Sequence, residues 1–216
     1  IIDTTQSNYA NMIKRLSRKQ KVSNFVLIYY SIFLIINTLT AKYFPDFFDS
    51  SLAEYFGIIL SVVMLAYSLI NNSANYAVRI SNVEEALNKL KTIKRDLAND
   101  NLQECIKKYN KITDTTERRE DVDFFVTVKH LCKEFGINWL TKQHKKKINK
   151  PKGEEELEEY NNQEKVVNNY ISEINVVVEE GKIIFESLWE FVLFVVPIII
   201  FILCMGASPN GYTKIQ

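Results

Sequence analysis

The chain has 216 residues and a formal net charge of +1, and with 27 Lys and Arg against 26 Asp and Glu no direct binding of nucleic acid is expected. Only 6 Gly and 4 Pro argue against a turn-rich β-protein and favour long helices. The three cysteines, Cys105, Cys132 and Cys204, are widely spaced, which excludes a disulfide framework and fits a reducing compartment.

Residues 1–21 are predicted to form a basic helix beside the membrane, followed by a transmembrane hairpin over residues 22–70. The uncharged stretches 22–41 and 55–78 can each cross a bilayer, because about 20 helical residues span a hydrocarbon core of about 30 Å. The first stretch is too long for a signal-peptide core and lacks a small-residue cleavage site, so we expect a retained anchor.

Charged flanks predict the orientation of this hairpin. Five Lys or Arg precede the first span and five follow the second, whereas the short connecting loop has Lys42 against three acids. By the positive-inside rule both ends are cytoplasmic and the loop lies outside. We therefore expect a multi-pass membrane protein with most of its soluble part in the cytoplasm.

Small and hydroxyl side chains recur on one face of each span. Ser31 and Thr38 are seven residues apart, and Gly57, Ser61 and Ser68 follow one face of the second helix. One interpretation is helix packing, with Gly57 allowing close approach and hydroxyls bonding between helices. The other is a wetted pore wall, with the four hydroxyl residues as lining candidates. A pore requires a homo-oligomer, because one hairpin cannot enclose a water path.

Residues 71–187 are predicted to form a cytoplasmic helical region. We expect one long helix over 75–109, whose heptad-spaced apolar residues, including Val83 and Leu90, favour packing on another helix over a free coiled-coil stalk. Arg79 and Glu84 lie near the membrane exit and are candidates for gating or cytoplasmic contacts; a surface pair without function is the alternative.

A polar turn over 113–119 is expected to precede a further helix, which Asp114 or Thr116 would cap. That helix carries apolar residues every three or four positions from Phe124, and Gly136 is expected to end it.

No catalytic or metal-binding motif emerges from the sequence. Asp121 and Asp123 could bind a divalent cation, but acids at a helix start also complement the helix dipole. His130, Cys132 and His144 supply only three of the four ligands that zinc needs. With no Gly-rich phosphate loop or nucleophile elbow, we expect no enzyme activity, cofactor or metal.

A linker rich in Lys and Glu is predicted near 142–159. The interpretation that assigns no function to this segment is a solvated linker. The alternative is contact with anionic lipid or with an anionic ligand such as a nucleotide. The candidate residues for that contact are Lys142, Lys145, Lys146 and Lys147.

From Tyr160 a second long helix is predicted to run directly into a third apolar segment, 188–206, followed by a tail over 207–216. Pro197 lies near the middle of this segment, where a membrane helix tolerates a kink. The segment is expected to span; an interfacial or subunit-buried helix is the alternative. The fold class is thus an all-α membrane protein with a two-span hairpin, a cytoplasmic helical bundle and a third C-terminal apolar span.

Three segments resemble a known family. Residues 75–80 (NYAVRI) and 83–91 (VEEALNKLK) resemble the segment after the hairpin in SLATT domains, and residues 117–124 (ERREDVDF) resemble their second cytoplasmic signature. These are two-transmembrane effectors associated with nucleotide-second-messenger and ligand-sensor proteins in bacterial conflict systems. The resemblance covers about residues 7–140, and the third apolar segment extends beyond the two-span pattern.

What the resemblance implies is a pore-forming or membrane-perturbing effector of antiphage defence, triggered by a partner enzyme or sensor and acting by abortive infection. A rival hypothesis is a non-conducting membrane anchor that recruits a defence partner. The implied partners are the lipid bilayer, further copies of the chain, a defence-system protein and a nucleotide or other anionic trigger.

Overall fold

A computed structural model describes residues 1–97, 102–134, 154–172 and 175–206. Within these ranges every regular element is a helix, which confirms the predicted all-α class. The helices are α1 Ile2–Tyr43, α2 Ser50–Ser73, α3 Tyr76–Asp96, α4 Leu102–Thr115, α5 Asp121–Glu134, α6 Glu154–Ser172 and α7 Val176–Gly206.

The predicted long helix over 75–109 is wrong in its extent, because α3 ends at Asp96 and α4 begins at Leu102. The intervening sequence includes Asn-Asp-Asn at 99–101, residue types that favour caps and turns over helix interiors. At its start, α3 is separated from α2 by Asn75, whose φ of 46° lies in the left-handed region that asparagine tolerates.

The predicted continuous helix from Tyr160 into the third apolar segment is also wrong. Helix α6 ends at Ser172 and α7 begins at Val176. The Asn175 side chain accepts a 3.4 Å hydrogen bond from the backbone N–H of Val178, which is the chemistry of a helix N-cap.

The chain divides into two compact units. The bundle unit comprises Ile1–Leu16 and Val78–Ile184, and the hairpin unit comprises Ser17–Ala77 and Phe185–Gln216. Helices α1 and α7 therefore contribute residues to both units.

In the bundle unit, α3 buries an apolar stripe at the spacing of three to four residues that an amphipathic helix requires. Val83 and Leu90 are both 0% exposed within the single chain. This burial confirms that the heptad-spaced residues of α3 pack inside the protein and do not form a free stalk.

A second apolar cluster of the bundle unit joins α5 to α6. Phe124, Val128 and Cys132 of α5 pack with Tyr160 and Val167 of α6. Burial raises the pKa of the Cys132 thiol to about 11, so this cysteine is a core residue.

The sequence predicts that Asp114 or Thr116 caps the start of α5, and this prediction is wrong. The Thr116 hydroxyl instead donates to the backbone carbonyl of Ile112 at 2.6 Å, at the end of α4. The Asp123 carboxylate accepts the backbone N–H of Glu120 at 3.1 Å, which is the reciprocal half of a capping box.

In the hairpin unit, the third apolar helix packs with the first two. Among the described residues, three helices are long and apolar enough to cross a membrane: α1, the segment that begins with α2, and α7. One buried cluster contains residues of all three, together with Phe48 of the connection. Its members are Val26, Tyr30, Phe33, Phe48, Ala53, Leu60, Ile200 and Cys204.

The connection between α1 and α2 is held at both sides. The side chain of Asp49 accepts the backbone N–H of Leu52 at 2.9 Å and so caps α2. The backbone N–H of Asp49 donates to the carbonyl of Cys204 in α7 at 2.9 Å. The first bond thus caps α2, and the second joins the connection to α7.

Candidate functional site

A groove of about 590 Å³ with a mixed apolar and polar lining lies between α1 and α2 in the hairpin unit. Three of the residues selected from the sequence, Thr38, Gly57 and Ser61, line this groove together. Further polar or charged groups of the lining come from Asn37, Lys42, Ser50 and Glu54. We call this feature the hairpin groove.

Asn37 is the buried polar residue of the hairpin groove. It is only 2% exposed, and its Nδ2 donates to the backbone carbonyl of Ala53 in α2 at 3.1 Å. Its Oδ1 has no hydrogen-bond partner in the part of the chain that the structure describes. A buried acceptor without a donor costs about 1–3 kcal/mol, so this amide gains from any donor that reaches it.

The span hydroxyls already use their donors within their own helices. Ser31, Thr38 and Ser61 each donate to the carbonyl four residues earlier, at 2.8, 2.9 and 2.8 Å. This local bonding makes a hydroxyl tolerable in lipid and leaves its oxygen free to accept. Hydroxyls in this state fit a lipid-facing, subunit-facing or water-facing position.

Gly57 has open space on its side-chain side. A Cβ placed there would meet no atom within 4 Å. Within one chain, therefore, Gly57 does not serve a close approach between two helix backbones, and its role in packing stays a prediction about contacts with another copy.

Ser31 and Ser68 are exposed and do not line the hairpin groove. Each lies seven residues from a groove residue of its own helix, Thr38 for Ser31 and Ser61 for Ser68. Seven residues make about two helical turns, so these hydroxyls continue the same two faces along the hairpin.

Arg79 pairs with Glu117 and not with Glu84. Its Nε donates to Glu117 Oε2 at 2.8 Å, and its Nη2 bonds to the other carboxylate oxygen. These hydrogen bonds lower the pKa of Glu117 from its ordinary value. Glu84 is exposed and has no ion pair among the described residues.

The remaining sequence candidates have plain outcomes. Lys142, Lys145, Lys146 and Lys147 lie outside the described residues. Asp123 is engaged by Arg15, whose Nε and Nη2 each donate to one of its carboxylate oxygens at 2.9 Å. Over the described ranges no group of three or more His, Cys, Asp and Glu is placed to hold a metal ion.

The three apolar helices define a helical membrane protein. Two of them are joined as a hairpin, which contains the hairpin groove. The chain belongs to the SMODS and SLOG-associating 2TM effector domain family 5, whose model matches residues 2–203. The comparisons with curated proteins and with solved structures gave no match. The protein is therefore a membrane effector of the kind that conflict systems use.

The extent of this family match corrects one expectation. The resemblance was expected to end near residue 140, with the third apolar segment outside the family pattern. The match instead continues to residue 203 and so includes most of α7. The C-terminal helices are thus part of the domain that defines the family.

Proposed function

We propose that the protein is an antiphage effector that oligomerises in the bacterial inner membrane and, when triggered by a partner, forms a pore or disrupts the membrane. The outcome for the cell is abortive infection. The activity is conduction, without bond-making chemistry. The bulk of the soluble part lies in the cytoplasm, as the basic flanks of the hairpin favour.

The observation that carries this proposal is the Asn37 Oδ1 atom in the hairpin groove, which accepts no hydrogen bond among the described residues. Between membrane-spanning helices, interhelical hydrogen bonds are the usual way to satisfy such a group. A neighbouring copy of the hairpin, or the water of a conducting state, can supply the missing donor.

Assembly of several copies follows from the dimensions of the hairpin. Two helices cannot surround a water column, whereas a ring of hairpins can do so through one polar face from each copy. Thr38 and Ser61 supply that face at the groove, and Ser31 and Ser68 extend it by two turns. Gly57 provides room for a neighbouring side chain.

Ion flux tests the proposal directly. We would reconstitute the full chain into liposomes with a candidate defence-system partner and activate that partner. The Thr38→Leu/Ser61→Leu variant should lose at least about 90% of the flux, because two bulky apolar side chains would fill and dewet the groove.

A matched variant controls for added bulk in the same helices. Thr40→Leu/Ala66→Leu makes comparable changes at positions of α1 and α2 that do not line the groove. It should conduct like the wild type. Equal flux from both double variants would contradict the assignment of the groove, and sealed liposomes under full activation would contradict conduction itself.

A second candidate function is a non-conducting anchor that recruits a defence partner through its cytoplasmic helices. The observation in its favour is that Ser31, Thr38 and Ser61 satisfy their hydroxyl donors locally. An anchor of this kind would keep its protective activity in both double variants. A pore would lose that activity in Thr38→Leu/Ser61→Leu but keep it in the control variant.

A further inference from the structure

A polar pocket of about 490 Å³ lies in the bundle unit, and the sequence analysis assigned it no binding role. The N-terminal turns of α1 contribute Asn8 and Tyr9 to it, and the connection from α4 to α5 contributes Arg118 and Arg119. We call it the arginine pocket.

The two guanidinium groups of the arginine pocket are not neutralised by ion pairs. Arg118 is exposed and has no ion pair or hydrogen bond among the described residues. Arg119 lies over the ring of Phe124, with its Cζ 4.0 Å from the centroid, a contact that leaves its N–H edge available. Such paired forks suit the oxygens of phosphate or carboxylate groups.

Two acids also line the pocket, and one of them is already engaged. Glu117 binds Arg79 through both of its oxygens, so its charge is compensated from outside the pocket. Asp114 is the other acid. Two uncompensated arginines against one carboxylate leave the arginine pocket net positive.

Neutral polar groups complete the lining. The Tyr9 hydroxyl hydrogen-bonds with Thr116, and burial raises the pKa of this tyrosine, so it stays protonated. The Tyr109 hydroxyl lies 2.9 Å from the Thr5 hydroxyl. These four hydroxyls lie around the same pocket as the two arginines.

Asn8 distinguishes this pocket from a generally basic surface. It is 5% exposed, and its Oδ1 has no hydrogen-bond partner among the residues that the structure describes. This carbonyl is enclosed in the ligand-free structure, so the Asn8 side chain must shift toward the pocket before a ligand donor can satisfy it. The pocket then selects a ligand that is both an acceptor and a donor.

We propose that the arginine pocket binds a proton-bearing oxyanion of the phosphate class, such as hydrogen phosphate or a phosphate monoester. The guanidinium groups of Arg118 and Arg119 hold its oxygens, and its O–H, or another donor on the ligand, satisfies Asn8. This site does not depend on the proposed conducting role of the hairpin.

Phosphate and sulfate provide the discriminating pair of probes, because they have similar size and geometry but sulfate carries no proton at neutral pH. We would measure binding to the detergent-solubilised full chain by calorimetry and by the shift of its thermal midpoint. Phosphate should bind at least about 10-fold more tightly than sulfate, the factor that one hydrogen bond of about 1.4 kcal/mol confers.

Variants connect the binding to the pocket. Arg118→Gln/Arg119→Gln should weaken phosphate binding by about 10–100-fold, whereas Arg95→Gln, at an exposed arginine of α3 outside the pocket, should not change it. Asn8→Ala should bring the phosphate and sulfate affinities together. A folded Arg118→Gln/Arg119→Gln variant is recognised by an unchanged midpoint without ligand.

Three results would overturn the proposal: no saturable phosphate binding, equal binding of sulfate and phosphate by the wild type, or full binding by the double arginine variant. Vesicles identify the source of the phosphate group. If phosphatidic acid in phosphatidylcholine vesicles abolishes the phosphate-induced shift, the ligand is a lipid headgroup. If the shift persists, the ligand is a soluble phosphate, and either result supports the site.

Discussion

Pro197 shows at the scale of single residues how the third apolar helix is held. Proline has no N–H, so the carbonyl four residues earlier, that of Leu193, loses its helical donor. The hydroxyl of Tyr30 in α1 donates to this carbonyl at 2.9 Å. The hydroxyl of Tyr29 donates to the next carbonyl, of Phe194, at 3.0 Å. Two tyrosines of the first helix thus repair the backbone that the proline disturbs.

Tyr30→Phe should lower the free energy of unfolding by about 1–3 kcal/mol, because it leaves the Leu193 carbonyl without a donor in an apolar setting. In a Pro197→Ala background the helix regains its own N–H, so the same substitution should cost much less. Denaturation in mixed detergent micelles measures all four proteins of this cycle. Equal costs in both backgrounds would contradict the repair.

Arg15 and Asp123 form the most buried ion pair among the described residues, with side chains 11% and 1% exposed. Arg15→Met should destabilise the protein by about 3–5 kcal/mol, because it leaves a buried carboxylate unpaired. Arg18→Met removes an arginine that is 51% exposed and paired with Glu190, and should cost less than about 1 kcal/mol. Thermal unfolding measures the loss of stability in both variants. Similar losses would contradict the prediction that the burial of the Arg15–Asp123 pair makes its removal costly.

The ion pair of Arg79 and Glu117 makes a pH-dependent contribution to the free energy of unfolding. Because hydrogen bonds from Arg79 hold the pKa of Glu117 below its ordinary 4.5, the pair stabilises the fold above that pH. This contribution is lost as the pH falls through the lower pKa of the folded protein. Solvent screening limits it to less than about 1 kcal/mol.

The midpoint difference between wild type and Glu117→Gln should therefore exist at pH 7 and shrink as the pH drops below 4.5. Glu84→Gln changes an exposed carboxylate of the same type and should match the wild type at both pH values. A difference that instead grows toward acid would mean that Glu117 is not held in its ionised form.

At the scale of helices, hydropathy and periodicity predicted which segments are helical but not where the helices break. The breaks after α3 and after α6 contain neither Pro nor Gly, so the strongest local stop signals are missing. Asparagines mark both places, but their effect depends on local capping geometry, as at Asn175. Sequence periodicity alone therefore merged neighbouring helices.

The candidate site was predictable to a similar degree. Helical spacing put Thr38 on one face with Ser31, and Gly57 on one face with Ser61 and Ser68. The hairpin groove contains Thr38, Gly57 and Ser61 but not Ser31 or Ser68, and a pore-lining role for these residues stays a prediction. The partner of Asn37 is a backbone carbonyl 16 residues away, so it depends on the register of the hairpin. Likewise, Arg79 pairs with a residue 38 positions away, a contact that only the folded bundle creates.

The apolar stripe of α3 allows a test at the scale of the element. Leu90→Ala should cost about 2–5 kcal/mol, because a fully buried leucine leaves a cavity. Leu97→Ala, one heptad further on but 44% exposed, should cost less than about 1 kcal/mol. Chemical denaturation compares the two, and equal costs would contradict the burial pattern of α3.

At the scale of the whole molecule, both the family match and the packing of the hairpin unit indicate that the third apolar helix is part of the domain. The match runs to residue 203, and α7 shares a buried cluster with both helices of the hairpin. Helix α7, added to the two-helix hairpin, provides additional surface for assembly in the membrane. Truncation before α7 is therefore expected to destabilise the hairpin unit and to abolish the proposed membrane-disrupting activity.

The most direct test of the account is the membrane potential of infected cells that carry the complete defence system. With the wild-type chain, the potential should collapse after the partner is activated and before the phage completes its cycle. The Thr38→Leu/Ser61→Leu variant, expressed at the same level, should keep the potential. Protection of the population while the membrane stays polarised would contradict a pore-forming effector.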